Sequence, residues 1–117
     1  MIDTVFSLDD FLKIFHSEGG NKNDIRICVE QESTGSSFVK CKVVVSAGIY
    51  SLTSGQPKKV LKCIVAQRAF NYPFLASPHE NEEKKQYNEW VKNAYKKVEE
   101  KLGFKPIEGF WKWQSKP

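Results

Sequence analysis

Hydrophobic residues recur at helical spacing near the start of the chain. The repeat consists of Leu8, Phe11, Leu12 and Phe15. Ser7 can cap the first turn, and Gly19-Gly20 interrupts the pattern. The spacing therefore predicts a short amphipathic helix over about residues 8–18.

The middle of the chain shows the two-residue alternation of half-buried strands. A first strand begins at Ile25, and a polar turn at 33–37 predicts that the next strand returns beside it as a hairpin. In that second strand one face carries Val39, Cys41, Val43 and Val45, and the other carries Phe38, Lys40, Lys42 and Val44. Gly48 marks a bulge or bend, after which 49–52 either continue the strand or form a short separate one.

A third strand is predicted over 60–70, after a loop at 53–58. Strict alternation places Leu61, Cys63, Val65 and Ala69 on one face, and Val60, Lys62, Ile64, Arg68 and Phe70 on the other. Pro73 and Pro78 are expected to keep the following connection extended.

Ser77, Pro78 and Glu80 form a signal for the start of a long helix, with Ser77 as the cap. Its apolar stripe runs through Tyr87, Trp90, Val91, Ala94, Val98 and Leu102. Gly103 is placed to end it, and about 25 residues would span ~37 Å, enough to cross a sheet. The opposite face, rich in Lys and Glu, is expected to be solvated.

These patterns predict a single α+β domain over 1–117, in the element order α-β-β-(β)-β-α-β. We expect an antiparallel sheet of about four to five strands. The long helix of the C-terminal half would cross one face, with the short N-terminal helix at its side. Residues 107–113 are predicted to form a last strand or an anchored tail, whose aromatic residues Phe110, Trp111 and Trp113 either close the core or anchor a partner.

Charge is distributed unevenly around a formal total of +4. Residues 1–35 hold seven acidic and three basic residues, whereas 36–76 contain six basic residues and no acidic one. Such a local excess of positive charge matters more for partner recognition than the total does. The basic residues of this stretch are Lys40, Lys42, Lys58, Lys59, Lys62 and Arg68.

Strand alternation places four of these cations on one sheet face, with Phe38 and Phe70 beside them, while Lys58 and Lys59 fall in the adjacent loop. Basic and aromatic residues together on an open sheet suit single-stranded nucleic acid, because cations follow the backbone and rings stack on bases. The alternative is a face that is solvated, or covered by the first helix or by another protein, since Val44, Val60 and Ile64 also lie on it.

The sequence contains no recognisable catalytic or metal-binding pattern. His16 and His79 have no nucleophile nearby in sequence, and Cys28, Cys41 and Cys63 lack the spacing of a metal site. Phosphate-loop spacing is also absent. We therefore expect a protein that is not an enzyme and uses no metal or cofactor.

Buried thiols without a disulfide spacing, the lack of a signal-peptide pattern and the lack of a long apolar segment predict a cytoplasmic protein with no membrane contact. The hypothesis is a small soluble binding protein for an anionic partner such as single-stranded nucleic acid. The alternative is a protein–protein interaction module, whether a homo-oligomer, an adaptor or an inhibitor of a larger protein.

Overall fold

A computed structural model describes residues 5–50 and 57–109, in an α+β fold with one mixed sheet. The strands are β1 (Val5–Phe6), β2 (Ile25–Ser33), β3 (Phe38–Tyr50), β4 (Pro57–Asn71) and β5 (Ile107–Glu108). The helices are α1 (Leu8–Ser17), α2 (Tyr72–Leu75) and α3 (Glu82–Leu102), and a 3₁₀ turn covers Lys22–Asp24.

The strand order is β1-β4-β3-β2-β5. Strands β2, β3 and β4 form an antiparallel meander, as the alternating patterns predicted, but β1 joins β4 and β5 joins β2 in parallel. The prediction of a purely antiparallel sheet is therefore wrong. The two parallel strands have only two residues each, too few to show a periodicity in the sequence.

Strand β3 continues through Gly48, which lies opposite Val60 of β4. For residues 49–50 the alternative of a continued strand is therefore correct, and 51–52 lie outside the described residues. Strand β4 begins at Pro57, so the backbone of Lys58 and Lys59 belongs to the strand and not to the predicted loop.

A β-bulge in β4 reverses the alternation of its second half. Val43 lies opposite Ala66 but Val44 lies opposite Ile64, which leaves Val65 as the extra residue. One extra residue moves every later side chain to the other face. Arg68 and Phe70 therefore lie on the face covered by the helices, opposite the buried Cys41 and Val39, and their predicted place beside Lys62 is wrong.

Helix α1 has the predicted position, and the Ser7 hydroxyl accepts the predicted capping hydrogen bond from the Asp10 N–H at 3.2 Å. Helix α3 begins later than predicted, because Asn81 and not Ser77 caps it, through the Lys84 N–H at 3.0 Å. Ser77 instead accepts the His79 N–H at 3.2 Å within a turn.

The connection before α3 is also not extended as predicted, since it contains the short helix α2. Asn71 caps this helix by accepting the Phe74 N–H at 3.4 Å, and Pro73 lies in its first turn, where its missing N–H costs nothing. Pro73, which was expected to keep this connection extended, therefore lies in the first turn of a helix.

The hydrophobic core lies between one face of the sheet and the helices. Its strand members include Ile25, Ile27, Val39, Cys41, Val43, Val45, Leu61, Cys63 and Phe70. The helical members are Phe11, Phe15, Leu75, Tyr87, Val91, Tyr95 and Val98. The long helix thus packs across the sheet as expected, and α1 packs on the same side.

The bulge leads to a prediction about two phenylalanines that strict alternation places on the same face. Phe70 is 1% exposed and Phe38 is 47% exposed. We expect Phe70→Ala to lower the free energy of unfolding by about 3–5 kcal/mol, because it opens a cavity in the core. Phe38→Ala, the matched control, should change it by about 0.5 kcal/mol or less. Urea unfolding measures both, and equal effects would contradict the bulged register.

Candidate functional site

The outer face of the sheet, which is the face turned away from the core, carries the lysines that the sequence predicted there. Lys40 and Lys42 alternate with the buried Val39, Cys41 and Val43 of β3. Lys62 of β4 and Arg26 of β2 lie on either side of Ser46. Arg26 was not among the predicted residues, since it belongs to the acidic N-terminal part of the chain.

Acidic residues of β2 neutralise much of this outer face. The Lys42 Nζ lies 3.1 Å from a Glu32 carboxylate oxygen, and the Lys62 Nζ lies 3.5 Å from one of Glu30. The hydrogen bond from Lys42 holds the pKa of the Glu32 carboxyl below its usual value. Val44, between these pairs, is only 1% exposed. The centre of the outer face is therefore ion-paired and is not a free basic surface.

Aromatic side chains are exposed at the end of the sheet where β3 starts and β4 finishes. Phe38 is 47%, Tyr72 is 49% and Phe74 is 56% exposed. The Tyr72 N–H donates to the Ser37 carbonyl at 2.8 Å, which joins α2 to the start of β3. Only Phe38 was predicted as a site residue, because Tyr72 and Phe74 are brought here by a helix that the sequence did not indicate.

Several predicted site residues have no described side-chain position. Phe110, Trp111 and Trp113 lie outside the described residues, as do the side chains of Lys58 and Lys59. The tail therefore remains a prediction, both as a core closure and as a partner anchor.

Histidine and cysteine side chains form no reactive group in the described part of the chain. His16 and His79 are both exposed, at the end of α1 and in the turn before α3. All three cysteines are free thiols, and burial raises the pKa of each, for Cys41 to about 11. Protonated thiols are poor nucleophiles. Among the described residues no group of three or more His, Cys, Asp or Glu side chains could hold a metal ion.

A cleft of about 680 Å³ opens between the outer edge of β4, the start of α1 and one side of α3. Strand β4 contributes Cys63, Ile64, Val65, Ala66 and Arg68, and α1 and its cap contribute Ser7 and Leu8. Helix α3 contributes Gln86, Glu89, Trp90, Asn93, Ala94, Lys97, Val98 and Lys101.

The bulge and the stripe on α3 create this cleft together. Val65 interrupts the alternation, and the four consecutive apolar residues from Cys63 to Ala66 all line the cleft. On α3 the lining positions recur every three or four residues, which places them on one side of the helix. The sequence contained both signals, but the apolar run was interpreted as regular alternation. On α3 the cleft combines Trp90, Ala94 and Val98 of the predicted apolar stripe with Lys97 and Lys101, which were expected on the solvated face.

Charged groups lie at both ends of the cleft. Arg68 donates from its guanidinium to the Gln86 amide oxygen at 3.2 Å and lies 5.0 Å from the centre of the Phe70 ring. Lys97 and Lys101 line the opposite end, where the Lys101 Nζ lies 2.8 Å from an Asp9 carboxylate oxygen. Glu89 is the acidic residue that lines the cleft between them. The cleft therefore has a largely apolar middle that also contains Glu89. Arg68 lies at one end, and Lys97 lies at the other beside the Lys101–Asp9 ion pair.

Comparison with known proteins finds no relative: no protein-family model, no curated protein and no solved structure matches the chain. None of the helices within 5–50 and 57–109 is long and apolar enough to cross a membrane. A functional conclusion must therefore come from the geometry and charge of the described residues.

The Asp9–Lys101 pair, which joins α1 to α3 across one end of the cleft, predicts a shifted titration. The hydrogen bond from Lys101 holds the pKa of the Asp9 carboxyl below its usual value. We expect the Asp9 pKa to rise toward its ordinary value in Lys101→Gln, because the variant removes the main cause of the shift; carbon NMR of the carboxyl group measures this. Lys92→Gln, an exposed change on the same helix, is the control and should leave it unchanged.

The sign of the stability effect follows from the direction of this shift. A lowered pKa in the folded state means that the pair stabilises the fold above the unfolded value of about 3.9. That contribution disappears as the pH falls through the folded pKa. An Asp9 pKa that does not respond to Lys101→Gln would show that the pair is absent in solution.

Proposed function

We propose that this protein is a non-enzymatic interaction module that binds a segment of a partner protein in the cleft between β4 and α3. The observation that carries the proposal is the cleft itself. Its volume of about 680 Å³ lies within the range known for small-ligand pockets, roughly 300–1,000 Å³, so it can hold several side chains of a bound segment. Apolar walls with a few polar groups at defined positions are the usual composition of such sites.

The walls of the cleft are held by the core, which supports binding without a large rearrangement. Trp90 packs against Phe70 and Tyr87, with ring centres 5.4 and 6.4 Å apart. Val98 and Cys63 are buried on the same side. Rigid walls reduce the entropy that a site loses on binding, and an exposed Trp edge is a common anchor in protein interfaces.

The same residues offer little support for catalysis. The one thiol that lines the cleft, that of Cys63, is buried and has a raised pKa. Neither His16 nor His79 lines the cleft. A binding role therefore accounts for the residues of the cleft better than general acid–base or nucleophilic chemistry does.

Filling the cleft tests this proposal. A library of random peptides of about seven residues supplies the probe, and Ala94→Trp fills the cleft from α3. We expect the peptides selected on the unmodified chain to bind Ala94→Trp about tenfold more weakly or worse, because the indole ring occupies the space in which their apolar side chains would contact the cleft. Ala76→Trp is the matched control, because Ala76 is exposed and lies outside the cleft.

Other results of these measurements would contradict the proposal or identify a different occupant. A pool that binds both variants equally, or no binding pool at all, would overturn the proposal. Self-association measured by light scattering and abolished by Ala94→Trp would identify a second copy of the chain as the occupant.

Binding of single-stranded nucleic acid at the outer face is the second candidate function. The specific observation in its favour is the exposed aromatic group of Phe38, Tyr72 and Phe74, at the same end of the sheet as Lys40. Exposed rings next to a cation can stack on bases while the cation contacts a phosphate. The ion pairs of Lys42 and Lys62 weigh against the rest of that face.

An oligonucleotide titration tests this second candidate. We expect Phe38→Ala to weaken binding of a labelled single strand by about tenfold, since stacking contributes ~1–3 kcal/mol per base. Lys40→Glu should weaken it by a similar factor, because it replaces a cation near the phosphates with an anion. Lys85→Glu, an exposed lysine of α3, is the charge-matched control for Lys40→Glu. Affinity should fall steeply with added salt. No binding at low salt would remove this candidate.

A further inference from the structure

Part of the β4 edge has no strand beside it in the described structure. The described residues of β1 pair with β4 at Lys62 and Cys63, and the chain then leaves the edge at Ser7 to form α1. On its other side β4 pairs with β3 from Tyr50 down to Phe38. Among the described strands, the second half of β4 therefore lies at an edge of the sheet, which is the usual place for an added strand from another chain.

The directions of the backbone groups at this edge follow from two hydrogen bonds. The Tyr72 N–H donates to Ser37 and so points toward β3, whereas the Asn71 N–H donates to a Glu83 carboxylate oxygen at 2.7 Å and points away from it. Backbone groups alternate in direction along a strand. Gln67 and Ala69 therefore direct their N–H and C=O groups to the open edge, and no described residue pairs with them.

The length of the cleft suits an extended segment. Its lining on α3 runs from Gln86 to Lys101, which is ~22 Å at 1.5 Å per residue. A strand with a rise of ~3.3 Å per residue crosses this distance in about seven residues. The Glu83 carboxylate closes one end of the open edge and β1 closes the other.

The charges that line the cleft indicate which side chains the segment carries. Arg68 lies at one end, and Lys97 lies at the other beside the Lys101–Asp9 ion pair, so Arg68 and Lys97 each favour a carboxylate. Glu89 disfavours an acidic side chain in the middle, where Trp90 and Ala94 offer apolar contacts instead.

We infer that the partner binds as an additional β-strand along the second half of β4, with acidic side chains at both ends and apolar side chains in the middle. This inference rests on the proposed function, since it names the kind of segment that the cleft accepts. The backbone of the segment bonds to Gln67 and Ala69, and alternate side chains enter the cleft.

A helical partner segment fits these observations less well. A helix with its side chains is ~10–12 Å wide, whereas an added strand lies ~4.8 Å from its neighbour. A helix in the cleft would also cover the edge without bonding to it, and burying unpaired N–H and C=O groups is unfavourable.

Amide hydrogen exchange followed by NMR tests the inference residue by residue. The probe is a synthetic peptide of about seven residues with Glu at each end and Val, Phe and Val in the middle. We expect exchange at the Gln67 and Ala69 amides to slow by about tenfold or more when the peptide binds, because those N–H groups gain partners. The Arg68 and Phe70 amides, which already face β3, are the internal control and should not change.

Two modified peptides separate the sources of affinity. A peptide with Lys at each end should bind about tenfold more weakly or worse, because it meets Arg68, Lys97 and Lys101. A peptide with methylated backbone amides keeps every side chain but cannot donate to the edge, and it too should lose about tenfold or more.

The outcomes distinguish this inference from the proposed function. Binding that shifts the resonances of Trp90 and Lys97 without slowing exchange at Gln67 and Ala69 would overturn the strand but keep the cleft. The same holds if the library yields peptides that Ala94→Trp excludes while the acidic peptide does not bind. If no peptide binds in the cleft, both are wrong.

Discussion

The extra residue in β4 is the constraint on which the rest of the described structure depends. Because Val65 has no partner in β3, the side chains after it change faces. Phe70 can then enter the core and contact Tyr87, with ring centres 5.3 Å apart, and Arg68 can reach Gln86 on α3. Without the bulge, a phenylalanine would lie on the outer face and the cleft would lose one of its charged ends.

The register of the meander decides the character of the outer face. Glu30 lies opposite Lys42 and Glu32 lies opposite Lys40, so an acidic strand runs beside a basic one. Opposite charges on neighbouring strands stabilise a sheet modestly, but they also remove much of the field that a nucleic-acid backbone would meet. Residues 36–76 contain no acidic residue, but in the folded sheet their lysines lie beside the acidic residues of β2.

The apolar core holds α3 on the sheet, and a few polar contacts at its start attach it to the end of β4 and to α2. The fully buried Lys84 donates from its Nζ to the Ser77 carbonyl, which draws the preceding turn onto the helix. Asn81 caps the helix and donates from its side chain to the Phe74 carbonyl at 2.7 Å. Glu83 holds the end of β4 through the Asn71 N–H. These contacts connect the sheet, α2 and α3, so they fix the position of the cleft relative to the open edge of β4.

The sequence by itself determined the α+β class, the position of α1, the existence of the long helix and the faces of β3. These features depend on spacing within one segment, where apolar periodicity and a capping residue suffice. Only the tertiary structure decided the faces of Arg68 and Phe70, the ion pairing of Lys42 and Lys62, the parallel edge strands and the cleft. The physical reason is that each of these features depends on residues far away in sequence. A bulge exists only relative to the strand that pairs with it, and whether a lysine is neutralised depends on the acidic residues that lie beside it in the fold.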